Sequence, residues 1–170
     1  MSKKYTDIYI ALGANLSNPK ISFRRALDSL HQKGVSVQSV SSLWESPAWP
    51  AGSGQPNYIN ACAKLTYAGA ARDLLALLHT VEAEFGRKRD GVRNAARALD
   101  LDLLDFNGQI ESSAHLQIPH PRMLARGFVL FPLYEIAPNW RDPHSDQHIS
   151  DFIARLPLAD VAPMHWRGPL

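Results

Sequence analysis

The sequence predicts an α+β domain, an antiparallel or mixed sheet covered by helices. Three observations carry that expectation. Apolar residues alternate at period two in segments 7–12, 58–67 and 99–104, the spacing of a strand with two unlike faces. They recur at helical spacing in 19–33 and 70–85, as on an amphipathic helix. Strand-like segments follow one another between 35 and 67 with no helical stretch between them. That argues for a hairpin or meander, not for strict βαβ repeats.

Each element has its own signal. Ile8, Ile10 and Leu12 share one face of the first strand, and Gly13-Ala14-Asn15 breaks it. Asn18-Pro19 reads as an N-cap followed by proline at the first helical position. Phe23, Leu27 and Leu30 continue that helix, which Gly34 ends. Val35 and Val37 open a second strand that runs to Ser42. Residues 44–57 (WESPAWPAGSGQPN) have no period and predict a long loop, of the kind that often carries function. In 58–67, Ile59, Ala61, Ala63 and Leu65 face one way, and Tyr58, Asn60 and Cys62 the other. Leu74, Leu78, Val81 and Phe85 stripe the next helix. Leu99, Leu101 and Leu103 then alternate with Asp100 and Asp102. Ile118-Pro119-His120-Pro121 is a rigid turn. An apolar segment, 128–133, ends near Pro138. Asp146 is expected to cap a last helix that turns Ile149, Phe152, Ile153 and Leu156 inward and stops at Pro157. One domain is expected over residues 1–160, with an irregular tail over 161–170.

Composition narrows the function classes. The chain has 170 residues, 45% hydrophobic and 20% charged, ordinary values for one globular domain. Its single cysteine, Cys62, excludes an internal disulfide framework and fits a reducing compartment. No apolar run reaches the ~18 residues of a membrane span, and the first residues lack the apolar stretch of a signal peptide. The expectation is a cytoplasmic protein with no membrane partner.

Net charge is only +2 but unevenly spread. Window 86–97 reads GRKRDGVRNAAR, with Arg87, Lys88, Arg89, Arg93 and Arg97 against Asp90 alone. Such a cationic loop attracts phosphate; a solvated basic loop is the plainer alternative. Asp100 and Asp102, at i and i+2 of a strand, share a face with Cα atoms about 6.6–6.8 Å apart. Two carboxylates so placed can hold a hard cation through oxygen, although a solvent-facing strand would carry the same pattern. Basic loop and acidic strand together have the layout of a magnesium–nucleotide site, acids on metal and guanidiniums on phosphate. His120 and Arg126 flank a second turn and could add donors. Ser46, Pro47, Trp49, Tyr58 and Asn60 combine flat rings with hydroxyl and amide groups, a set able to sandwich and read a planar heterocycle. Glu82, off the helix stripe, reads by itself as a solvated acid. There is no GxxxxGK[ST] loop, no GxGxxG after a strand, no GxSxG and no zinc-type spacing. A nucleotide site here works without a P-loop.

The order of motifs resembles the 6-hydroxymethyl-7,8-dihydropterin pyrophosphokinases of folate biosynthesis. The matching runs are Ile10-Ala11-Leu12-Gly13-Ala14-Asn15-Leu16, Ser46-Pro47, and Gln55-Pro56-Asn57-Tyr58-Ile59-Asn60-Ala61. The most specific is Arg93-Asn94-Ala95-Ala96-Arg97-Ala98-Leu99-Asp100-Leu101-Asp102-Leu103-Leu104. Pro119-His120, Arg126-Gly127-Phe128 and Pro132-Leu133-Tyr134-Glu135-Ile136-Ala137-Pro138 follow in order, so the resemblance covers roughly 7 to 157.

The resemblance implies a ferredoxin-like α–β–α sandwich with a mostly antiparallel central sheet. It implies transfer of pyrophosphate from ATP to the hydroxymethyl group of 6-hydroxymethyl-7,8-dihydropterin, with release of AMP. Two Mg²⁺ ions would be held by Asp100 and Asp102. Arg87 and Arg97 match arginines that grip the transferred phosphates, and Arg89 and Arg93 lie in the mobile catalytic loop. His79, His120 and Arg126 fall among further ATP contacts. Ser46, Pro47, Trp49, Tyr58, Asn60 and Phe128 match the pterin pocket, and Glu82 an acid that supports it. Residues 94–96 are Asn-Ala-Ala where the family often has Trp-Gly-Pro, Ala98 replaces a usual Thr, and Pro121 a common aromatic residue. Slower lid closure or weaker ATP binding is expected from these changes. Two other readings are a paralogue acting on another reduced pterin and a non-catalytic nucleotide- or RNA-binding module. Asp100 and Asp102 beside the basic window would repel a nucleic-acid backbone, so no nucleic-acid partner is expected. A monomer is expected, with a homodimer as the alternative.

Overall fold

The computed structural model describes residues 7–48, 52–86 and 96–170. Its first half follows the alternation of the sequence closely. Strand β1 (Ile8–Ala14) is followed by helix α1 (Pro19–Gln32), β2 (Ser36–Val40), β3 (Ser42–Ser46), β4 (Tyr58–Thr66), α2 (Ala71–Glu84) and β5 (Asp100–Phe106). Asn18 caps α1 by accepting from the Ile21 amide, with Pro19 at the first turn. The second half adds a small hairpin of β6 (Glu111–Ser112) and β7 (Gln117–Ile118), a 3₁₀ turn (Met123–Ala125), α3 (Gly127–Ile136), α4 (Ile149–Ala154), α5 (Leu158–Val161) and β8 (His165–Pro169).

The main sheet has six strands in the order β5-β1-β4-β3-β8, with β2 also paired to β4. Every pairing in it is antiparallel. With β2 and β3 taken as one broken strand, the β-α-β-β-α-β connectivity and the order β5-β1-β4-β3 are ferredoxin-like. Alternation in the strands then builds two cores. Ile8, Ile10, Leu12, Ala61, Ala63, Leu65, Leu101 and Leu103 meet Phe23, Leu30, Leu74, Leu78 and Val81 from α1 and α2. Tyr9, Cys62 and Leu104 meet Val129, Leu130 and Leu133 from α3 on the other face. Truncating a fully buried leucine such as Leu78 to alanine costs about 2–5 kcal/mol. Cys62 is a buried free thiol, and desolvation pushes it well above the usual thiol range.

Three expectations are corrected. The long loop starts at residue 47, because β3 runs to Ser46. Tertiary contacts complete this strand: Trp44 stacks on Phe131 at 5.3 Å, and its Nε1 donates to Glu135 at 2.9 Å. The helix over 149–154 is capped by His148, not Asp146. Asp146 instead sits at φ 55 and closes the preceding turn, donating its amide to the Asp142 carbonyl at 2.8 Å. The tail over 161–170 is not irregular: β8 pairs with β3 as an edge strand. Arg167 pairs with Glu45 at 2.6 Å, and Lys20 donates to the Pro169 carbonyl at 2.9 Å. Both partners lie more than a hundred residues away along the chain, so no local pattern announces them.

Candidate active site

The α3-facing side of the sheet carries the polar residues. In register, Gly13 of β1 lies between Asn60 of β4 and Asp100 of β5, and Ala11 lies between Cys62 and Asp102. Asp100, Gly13 and Asn60 thus form one row across three strands. With strands ~4.8 Å apart, the row sets the carboxylate and the amide ~10 Å apart across a bare floor. A Cβ at Gly13 would stand 3.7 Å from Asn60 Oδ1, 3.9 Å from Asp100 Cβ and 4.0 Å from Tyr58 Cδ1. Over this floor lies a cavity of about 420 Å³. Its walls are Ser46, Tyr58 and Asn60 on one side, Arg97, Asp100 and Asp102 on the other, and Arg126, Gly127, Phe128 and Val129 above.

The polar groups of the pocket wall are held by hydrogen bonds within the protein. Asn60, 5% exposed, donates Nδ2 to the Trp44 carbonyl at 3.2 Å and to Ser46 Oγ at 2.9 Å. Its Oδ1 therefore faces the floor as an acceptor. Phe128 adds a flat wall and carries the Arg126 guanidinium 5.4 Å from its ring centre.

The acidic side is held from two directions. Arg97 Nη1 donates to Asp100 Oδ2 at 2.6 Å. Between the two aspartates, the Leu101 amide donates to Glu82 Oε1 at 2.8 Å. Strand β5 is a sheet edge, and Glu82, 1% exposed on α2, supplies the acceptor there. That carboxylate is buried, so the reading of Glu82 as a solvated acid does not hold. Nearby, burial holds the His120 imidazole below its ordinary pKa; Arg126 and Arg122 push the same way, against the pull of Asp102. His120 Nδ1 accepts from the Arg122 amide at 3.2 Å, which assigns the proton of the neutral ring to Nε2. Burial and Arg122 also lower Arg126, whose guanidinium remains charged.

Eight residues named from the sequence meet in the cavity: Ser46, Tyr58, Asn60, Arg97, Asp100, Asp102, Arg126 and Phe128. Pro47, His79, Glu82 and His120 do not line it; Pro47 is exposed, His79 half-buried on α2. Trp49, Arg87, Arg89 and Arg93 lie outside the described residues. Ala11, Gly13, Gly127, Val129 and Asp160 line the cavity and were not singled out by their chemistry. Two small residues at i and i+2 on a strand's non-core face were a readable signal for Ala11 and Gly13. Asp160 had none, since it lies on α5, a single turn too short to show a period.

Among the described residues no group of three or more His, Cys, Asp and Glu forms a closed cage. Two carboxylates at an open cavity suit Mg²⁺, which keeps waters and takes its remaining ligands from substrate phosphates. Asp100 already attracts a cation, the Arg97 guanidinium. The site therefore fits magnesium carried with a nucleotide.

Comparison with known proteins identifies the family. A family model described as 7,8-dihydro-6-hydroxymethylpterin-pyrophosphokinase matches residues 9–138. A 2-amino-4-hydroxy-6-hydroxymethyldihydropteridine pyrophosphokinase of Pseudomonas aeruginosa is 38% identical over 156 residues, covering 91% of this chain and 94% of its own. One of the same name from Synechocystis is 37% identical, covering 91% and 78%. A crystal structure of Plasmodium falciparum HPPK-DHPS with pteroate superposes with a TM-score of 0.64 at 12% identity, a likeness of fold. It covers 89% of this chain, which spans 42% of that one. The chain belongs to the 7,8-dihydro-6-hydroxymethylpterin-pyrophosphokinase family, ATP-dependent transferases of folate biosynthesis.

Proposed function

We propose that the cavity binds ATP on its Asp100–Asp102 side and 6-hydroxymethyl-7,8-dihydropterin on its Asn60 side, and joins them over Gly13. The cross-strand row Asp100–Gly13–Asn60 carries this reading. It supplies a cation-holding end, a heterocycle-reading end and an unobstructed floor between them. Tyr58 and Phe128 offer ring faces to the pterin, and Asn60 Oδ1 with Ser46 reads its donor edge.

Asp100 and Asp102 would hold Mg²⁺, two ions in our reading, which when bound neutralises phosphate charge and polarises the reacting oxygens. Arg97 and Arg126 orient phosphate oxygens through their guanidinium forks. Arg87, Arg89 and Arg93 are proposed as further phosphate grips. His120, as a neutral Nε2–H donor, and His79 are assigned to the nucleotide side. Pro47 and Trp49 are proposed to border the pterin, and Glu82 to hold β5 in place. In the reaction the substrate's hydroxymethyl oxygen loses its proton to solvent water and bonds to the β-phosphorus of ATP. The bond from that phosphorus to the α,β-bridging oxygen breaks, the β,γ-pyrophosphoryl group stays on the pterin, and AMP leaves. Such transfer depends on in-line placement and charge stabilisation more than on covalent help. Walls that exclude water protect ATP from hydrolysis.

The chain is proposed to act as a monomer in the cytoplasm. The buried free thiol of Cys62 supports a reducing compartment. Among the described residues no helix is long and apolar enough to cross a membrane. Phosphorus NMR of a reaction with MgATP and the dihydropterin tests the chemistry. AMP and a pterin diphosphate are expected; ADP and a pterin monophosphate would contradict it.

A further inference from the structure

Asn15 follows β1 at the end of the cavity floor, and it is 5% exposed. Its side chain uses both ends. Oδ1 accepts from the Arg97 amide at 2.8 Å. Nδ2 donates to Gln55 Oε1 at 3.1 Å and to the Pro56 carbonyl at 3.1 Å. The Asn15 and Leu16 amides both donate to the Arg97 carbonyl, at 2.9 and 3.1 Å. One carboxamide therefore joins two segments on opposite sides of the site. Segment 52–57 leads into Tyr58 and Asn60; Arg97 pairs with Asp100.

We propose that Asn15 is a positioning residue that couples the pterin side of the cavity to its phosphate side. The reasoning rests on the pyrophosphoryl-transfer reading. A phosphate on that side would draw on the same guanidinium that Asp100 holds, so its binding bears directly on Arg97. Its backbone is pinned at both N–H and C=O to residues 15 and 16. Any backbone adjustment at Arg97 therefore loads the Asn15 amide, and through it Gln55 and Pro56. The same path runs backwards when a pterin orders the segment before Tyr58, since coupling free energies are reciprocal. Asparagine suits the post because one amide offers an acceptor and two donors in a plane. Aspartate keeps the Arg97 bond but sets an oxygen against the Pro56 carbonyl, which has no donor to offer in return.

The test is calorimetry of each ligand alone and in the presence of the other. The probes are the magnesium complex of α,β-methylene-ATP and 6-hydroxymethyl-7,8-dihydropterin. The proteins are wild type, Asn15→Asp and Gln55→Ala; the last alters only a half-buried loop position and leaves the sheet intact. In wild type each ligand is expected to bind at least about five-fold more tightly in the presence of the other than alone. Both variants should lose most of that factor while single-ligand affinities change far less. A factor unchanged in both variants, or a wild-type factor near one, overturns the proposal while AMP formation by wild type keeps the transfer reading. Absence of AMP formation by wild type overturns the transfer reading and this proposal with it.

Discussion

Arg97 Nη1 lies 2.6 Å from Asp100 Oδ2, both side chains being less than a third exposed. The guanidinium proposed to hold phosphate thus neutralises the carboxylate proposed to hold magnesium. Arg97 and Asp100 balance each other's charge, and in the proposed reading a metal–phosphate complex would exchange that one ion pair for two.

That exchange gives effects of opposite sign in one variant. Arg97→Gln removes a competing cation, so Mn²⁺ alone should bind roughly five-fold tighter, the scale of about 1 kcal/mol for a partly exposed pair. AMP formation in the same variant should fall about 10²-fold or more, since a transition-state donor is lost. Paramagnetic titration with Mn²⁺ and a steady-state assay read the two effects separately.

Gly13 forms the floor between Asn60 and Asp100. Its Cβ position is at ordinary contact distance from all neighbours, so Gly13→Ala should fold with little change in thermal midpoint. The added methyl occupies ligand space, and the KM for the dihydropterin is expected to rise about ten-fold, equivalent to ~1.4 kcal/mol. An unchanged KM would remove the floor from the substrate path.

Glu82 is buried and accepts from the Leu101 amide at 2.8 Å. Glu82→Ala removes that acceptor at the sheet edge and should cost about 1–3 kcal/mol, read by urea unfolding. Glu82→Gln retains an acceptor oxygen and should cost less than the alanine variant. Turnover should fall in parallel, because Leu101 separates the two aspartates.

His120 makes stability depend on pH. Burial, with Arg126 and Arg122, sets its folded pKa below the ordinary 6.5. The unfolded chain then binds this proton more readily than the folded one. Its stabilising contribution is fully present above about 6.5 and is lost as pH falls through the lower folded value. Between about pH 7 and about pH 5, wild type should lose more of its urea midpoint than His120→Gln does.

Much of this was legible in the sequence, for reasons that differ by element. β1, β4 and β5 alternate cleanly because each separates two cores or a core and a cavity, and Asp100 and Asp102 announced their shared face by that alternation. α1 announced its start through Asn18 and Pro19. β3 and β8 were hidden because their order comes from distant partners, Glu135 and Phe131 for Trp44, and Glu45 for Arg167. By pattern alone Glu82 read as solvated, because its partner is a backbone amide on another element, which no side-chain pattern marks. Asn15 stood in a recognised motif, but its link to residues 55, 56 and 97 exists only in three dimensions.

The most direct measurement is AMP release from MgATP with and without 6-hydroxymethyl-7,8-dihydropterin, in wild type and Asp100→Ala. Pterin-dependent AMP that falls by about 10²-fold or more in the variant is the expected result. AMP formation that ignores the pterin, or that survives the loss of Asp100 unchanged, would contradict the proposed site.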